Sequence, residues 1–227
     1  PDQELIFFTR RYLKKGIDII TPRFQEEFIS SKIENDIFSV GQPLSYPFNI
    51  EDNEGGACIS IDNNLLFFTK CSRVSGNYNN CDIFYSEKKD GKWGEIQSFG
   101  KEICPMYSWE SQPSLSSDGK SIIFASDREG GYGGVDLYII NKDNNGLWSK
   151  PINLGPEINS GNNEKSPFLH TDGKTLFFAS DNFPSCSNSD MSGGSSSSLE
   201  ASICDELSVS SFEISSSITC GNSIPER

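Results

Sequence analysis

One phrase occurs four times along the chain: PDQELIFFT from Pro1, IDNNLLFFT from Ile61, SDGKSIIFAS from Ser117 and TDGKTLFFAS from Thr171. Each copy joins a tight turn, built on Asp-Gly or an Asp-Asn or Asp-Gln equivalent, to a run of β-branched, aromatic or leucine residues. That is the pattern of a turn feeding a strand. The turn aspartates Asp2, Asp62, Asp118 and Asp172 stand 60, 56 and 54 residues apart. A period of this length means that one supersecondary unit is being repeated.

Other residues keep the same phase. Asp82-Ile83-Phe84-Tyr85 returns 54 residues later as Asp136-Leu137-Tyr138-Ile139, and Trp93 returns after 55 as Trp148, with Asp36-Ile37-Phe38 a looser early copy. Ahead of the turns, Glu54, Glu110 and Glu164 recur at intervals of 56 and 54. Each unit therefore holds four strand candidates, in the third unit 112–116, 121–126, 135–141 and 148–154, with turns at 130–134 and 143–146.

A four-stranded antiparallel unit cannot cover both of its faces alone, and units of roughly 40 to 55 residues solve the problem by stacking radially as blades. The expected fold is all-β: a partial β-propeller of three to four four-stranded antiparallel blades, with a Ser-rich irregular C-terminal tail. The propeller repeats run over 1–181, with blades near 1–52, 53–108, 109–162 and an incomplete 163–190. Phe67-Phe68, Ile123-Phe124 and Phe177-Phe178 are expected to pack between blades. The nine-residue step from Asp127 to Asp136 returns as Asp181 to Asp190, where the phase stops; 182–227 reads as a Ser-rich low-complexity tail, with Ser195 to Ser198 its plainest tract, except that Val209, Phe212, Ile214 and Ile218 suit one or two weak strands. Sixteen Phe and seven Tyr against two Met, with 20 Gly and 11 Pro for turns, fit an all-β chain.

The formal net charge of −13 repels phosphates and anionic lipid, which sets aside nucleic acid and membrane-surface binding. No run reaches the roughly 18 apolar residues of a membrane span, and any export signal is expected outside this sequence.

Few residues suit chemistry. His170 is the only histidine and lies in a turn phrase, the seven cysteines have no zinc-finger spacing, and no GxSxG nucleophile elbow is present. No catalytic residue, cofactor or metal centre is therefore expected. Asp62, Asp118 and Asp172 in the turns, and Asp82 and Asp136 at strand starts, read as structural acceptors for turn amides. Asn141, Asp143, Asn145 and Gly146 faintly suggest a calcium loop, but its twelfth position is Ile152 and the stretch reads as a hairpin turn. Cys71 and Cys81 flank a short polar stretch between two strand-like runs and are a candidate disulfide, with two free thiols as the alternative. Glu54, Glu110 and Glu164 would sit at equivalent places in successive blades. They are the candidate site for a cation or basic partner at a channel mouth, unless each caps its own inter-blade turn.

The phrases SQPSLSSDGKSIIFASDREGGYGGVDLY from Ser111 and WSKPINLGPEINSGNNEKSPFLHTDGKTLFFASD from Trp148, with the Cys71 to Cys81 hairpin, resemble the TolB-like, WD-like β-propeller repeat of OmpA-family envelope proteins. They are most similar to PorE-type proteins associated with type IX secretion. The resemblance covers 1–181. It implies a periplasmic or outer-membrane-associated protein with peptidoglycan contacts in a separate domain not recognisable here. Such propellers need about six or seven blades, so the chain reads as part of a longer protein.

The expected function is a noncatalytic binding or scaffold module whose partners are envelope proteins, because the fold supplies a rigid disc with variable connections. The alternatives are the substrate-gating propeller of a serine peptidase and a glycan-binding propeller.

Overall fold

In the computed structural model the described residues are 5–13, 24–50, 53–75, 78–181 and 208–213. Asp2, the segment 182–207 with Cys186 and Cys204, and Cys220 lie outside them. The described chain folds into four antiparallel sheets with no helix among them.

The first sheet pairs β1 (Leu5–Leu13) with β2 (Phe24–Glu34), on which the short β3 (Ile37–Phe38) and β4 (Gln42–Pro43) also ladder. In the second, β5 (Glu54–Ile59), β6 (Leu65–Ser75), β7 (Tyr78–Lys89) and β8 (Lys92–Trp93) follow in order, with β9 (Gln97–Ser98) also on β7. The third is β10 (Glu110–Leu115), β11 (Ser121–Ser126), β12 (Asp136–Asn141) and β13 (Ile152–Asn153). The fourth is β14 (Glu164–Leu169), β15 (Thr175–Ser180) and β16 (Ser208–Glu213), the last drawn from the Ser-rich stretch. The repeated phrase supplies β1, β6, β11 and β15; β6, β11 and β15 are each the second strand of their sheet, and β1 is the first described strand of its own.

Alternation along these strands builds the core. Leu66 and Phe68 turn toward the first sheet, where they meet Phe28 and Phe48, while Phe67 turns the other way to join Ile122, Phe124, Tyr138 and Ile140 of the third. One strand on, Ile122 and Phe124 face the second sheet, whereas Ile123 and Ala125 face Leu169, Leu176 and Phe178 of the fourth. A strand buried on both faces needs a continuous apolar run rather than alternation, which is why LLFF and IIFA are uninterrupted. The core is thus three seams between successive sheets, as radial stacking requires.

The inner strands β5, β10 and β14 carry a bulge at the same place, between Gly55 and Cys58, Ser111 and Ser114, and Lys165 and Phe168. Two residues past each glutamate the backbone is left-handed, at Gly56 (φ 55°), Gln112 (φ 58°) and Ser166 (φ 52°). The bulge throws that residue's amide toward the preceding sheet: Gly56 N donates to Thr9 Oγ1 at 3.3 Å, Gln112 N to Thr69 Oγ1 at 3.0 Å and Ser166 N to Gln112 Oε1 at 2.8 Å. Gly55 is required by close approach, since a Cβ there would lie 2.2 Å from Thr9 Oγ1.

Candidate functional site

Antiparallel register fixes which residues share one end of the sheets. Glu110 pairs with Ser126 and Ser126 with Asp136; Glu54 pairs with Lys70 and Lys70 with Asp82. The connections running from the outer strand of one sheet to the inner strand of the next (99–109, 154–163 and the described part of the first, 44–50) reach this end, as does the connection between β11 and β12. The turns of Asp62, Asp118 and Asp172 lie at the opposite end.

Those three aspartates bind their own turns. Asp62 accepts from Ser60 Oγ and Asn64 N, Asp118 from Ser116 Oγ and Lys120 N, and Asp172 from Lys174 N, Thr175 N and Thr175 Oγ1. Hydrogen bonds to the charged form hold all three carboxyls below the usual range, the Ser hydroxyl contributing most for Asp62 and Asp118 and the Lys174 amide for Asp172. His170 stands beside Asp172, with Nδ1 3.1 Å from its carboxylate, and takes part in the same turn. Asp143 likewise accepts from Asn145 N and Leu147 N, the geometry of a hairpin turn.

Glu54, Glu110 and Glu164 are all buried, at 1%, 0% and 0% exposure. Each is engaged locally: Glu54 Oε2 by Asn49 N, Glu110 Oε1 by Ser108 Oγ and Ser126 Oγ, Glu164 by Ser160 N, Ser160 Oγ and Ser180 Oγ. The structure does not gather the three into one cluster of ligand atoms; each sits at its own seam.

A further residue that the sequence reading passed over completes two of these seams. Asn159 Oδ1 accepts from Leu137 N at 2.8 Å while its Nδ2 donates to Leu137 O at 3.0 Å. Asn49 does the same to Phe28, accepting from its N–H at 2.7 Å and donating to its carbonyl at 2.8 Å. Both stand five residues before their glutamate and follow an apolar residue, Phe48 or Ile158. At the middle seam the residue after Ile103 is Cys104, whose Sγ lies 4.0 Å from Ile83 O.

The aspartates at the starts of the third strands diverge as well. Asp136 accepts from Tyr132 N, Gly133 N and Asn153 Nδ2, the turn-amide role expected of it. Asp82 departs from that expectation: β6 and β7 run on as a hairpin in place of the turn, and among the described residues its hydrogen-bond donor is Asn80 Nδ2 at 2.8 Å. Within that hairpin Cys71 and Cys81 stand directly opposite and are joined by a disulfide.

The middle seam therefore holds a distinct group. One oxygen each of Asp82 and Glu110 and the Sγ of Cys104 lie within 4.8 Å of one another. Arg128, laid over the rings of Phe124 and Tyr138, reaches Glu110 Oε1 at 3.1 Å and Ile103 O at 2.7 Å. Burial raises the Asp82 carboxyl to about 6, raises Glu110 to about 6 against the pull of Ser108, Ser126 and Arg128, and raises the Cys104 thiol to about 12.

No family model and no curated protein matches the chain. Solved structures do. An α-L-arabinofuranosidase from Lactobacillus brevis aligns over 94% of this chain and 69% of its own, with TM-score 0.54 and 11% identity. TolB from Acinetobacter baumannii aligns over 72% of this chain and 34% of its own, with TM-score 0.40 and 18% identity. A puromycin-hydrolyzing peptidase from Mycobacterium tuberculosis aligns over 77% of this chain and 27% of its own, with TM-score 0.43 and 10% identity. The chain thus spans about a third of the TolB structure's length. At such identities the likeness is one of fold, and the fold is a set of β-propeller blades.

Proposed function

We propose that the chain is a noncatalytic propeller module that binds protein partners in a bacterial envelope, in the periplasm or at the outer membrane. The observation that supports this reading is the character of one end of the sheets. Met106 and Tyr107, on the connection between the second and third sheets, and Tyr132, on the turn between β11 and β12, are 46%, 79% and 53% exposed. The disulfide-linked hairpin of β6 and β7 extends at the same end. Exposed Met and Tyr on connections held by a rigid scaffold suit protein recognition, where both residue types are enriched. A disulfide suits an oxidising compartment. The repeat phrases are of the kind found in OmpA-family and PorE-type proteins, and in that setting any peptidoglycan contact belongs to another domain.

A photo-crosslinking residue placed at Tyr107 or Tyr132, in the full-length protein in its own envelope, tests the reading. Defined protein adducts from these positions, absent from the exposed Leu147 at the other end, are the expected result. Equal labelling from Leu147, or no adduct from Tyr107 and Tyr132, would overturn it.

A further inference from the structure

We propose that Asp82, Cys104 and Glu110 form a binding site for a divalent transition-metal ion of the zinc type, at the seam between the second and third sheets. The three donors come from three segments, β7, the connection 99–109 and β10, and converge because the seam brings those segments together. A carboxylate pair with one thiolate is a donor set for a borderline ion, since the sulfur selects against calcium and magnesium.

The neighbouring seam shows what these positions do when they are only structural. There Asp136 is capped by two turn amides and Asn153, Asn159 clamps Leu137, and Glu164 accepts with both oxygens. At the middle seam that network is open at each point. Asp82 lacks the turn, the clamp residue is a thiol, and Glu110, wholly buried, has Oε1 taken by Ser108, Ser126 and Arg128 while Oε2 has no hydrogen-bond partner. A buried carboxylate oxygen without a donor is costly, and a bound cation would remove the cost. With Oε1 saturated, Oε2 is the oxygen that Glu110 has left to offer.

Charge supports the same assignment. Two carboxylates, a thiolate, Arg128 and a dication sum to zero, whereas without the ion the two carboxylates and Arg128 leave a net negative charge in a buried place. Ligand atoms on a tetrahedral ion at ~2.0–2.3 Å stand about 3.3–3.8 Å apart. The present spacing needs only a modest closure, and Asp82, partly exposed, is the side chain free to make it. Its opening to solvent also gives the ion a way in and a water for the fourth position.

Cobalt(II) added to the full chain is the test, read by the thiolate-to-cobalt charge-transfer band and by its displacement with zinc. The band is expected in the wild type and in Cys58→Ser. It is expected to be lost in Cys104→Asn, which installs the residue of the flanking seams and so preserves folding, and the affinity should be at least tenfold weaker in Glu110→Gln. No band in the wild type, or a band that persists in Cys104→Asn, would overturn the site.

Discussion

The amide of Gln112 donates to the hydroxyl of Thr69 across the seam between the second and third sheets, at 3.0 Å. The same bond joins Gly56 to Thr9 one seam earlier. One seam later the residues in phase with FFT read IFA, so Ala125 offers no hydroxyl and the bulge amide of Ser166 turns to Gln112 Oε1 instead. The last residues of each phrase thus decide how the next bulge is satisfied.

Thr69→Val keeps the shape and removes that acceptor, leaving a part-buried amide without a partner. The expected loss is about 1–2 kcal/mol by urea denaturation, with Thr69→Ser close to wild type. Equal stability of the Val variant would mean that the seam bond contributes nothing.

The asparagine clamps predict an asymmetry between seams. Asn159→Leu strands the N–H of the fully buried Leu137 and should cost about 1–3 kcal/mol, as should Asn49→Leu at Phe28. Cys104→Asn should instead stabilise the metal-free chain by about 1 kcal/mol, because its amide supplies an acceptor and a stronger donor where the thiol gives only a weak bond to Ile83 O. Thermal unfolding of the three variants checks both signs.

The contrast between turns and clamps explains what could be read from the sequence. Asp62, Asp118 and Asp172 act through amides two or three residues away, so their role is written locally in the Asp-Gly phrase. Phe67 and Phe68 were legible because a doubly buried strand must be apolar throughout. Asn49 and Asn159 lie in irregular connections, and the motif is broken by one extra residue between Cys104 and Glu110, six positions apart rather than five. Arg128 is not repeated at the same step of the fourth unit, where Asn182 follows Asp181. The Asp82, Cys104 and Glu110 group joins three segments across a seam, and no spacing within one repeat encodes that meeting.

Acid should weaken the fold through the turns. The carboxyls of Asp62, Asp118 and Asp172 are lowered in the folded chain, so their stabilisation is complete above the ordinary carboxylate range and is lost as pH falls below it. Asp82 and Glu110, raised to about 6, act with the opposite sign, contributing most in acid and losing that contribution as pH rises through 6. Melting temperatures below pH 4 should therefore fall, and less steeply in an Asp118→Asn, Asp172→Asn double variant, whose amide oxygens still accept from the turn. An unchanged slope would show that these turns do not govern acid unfolding.

The disulfide ties a hairpin that is already laddered, with Cys71 paired to Cys81 in register. Closing a loop of 10 residues contributes on the order of 2–3 kcal/mol in the chain-entropy account. Reduction, or Cys71→Ser with Cys81→Ser, should lower the unfolding midpoint accordingly. It should leave the buried seams folded, as far-ultraviolet circular dichroism would report.

The adjacent pair Phe67 and Phe68 separates radial stacking from any single shared core. Both are essentially fully buried, yet Phe68 rests on Phe28 and Phe48 at one seam and Phe67 on Phe99 and Trp148 at the next. Either change to alanine should cost about 3–5 kcal/mol. The local consequences should part, because a stacked array couples only neighbours. Phe68→Ala should speed hydrogen exchange in β2 and leave β12 protected, while Phe67→Ala should expose β12 and spare β2. If both variants loosen β2 and β12 alike, the sheets share one core and the seam-by-seam account is wrong.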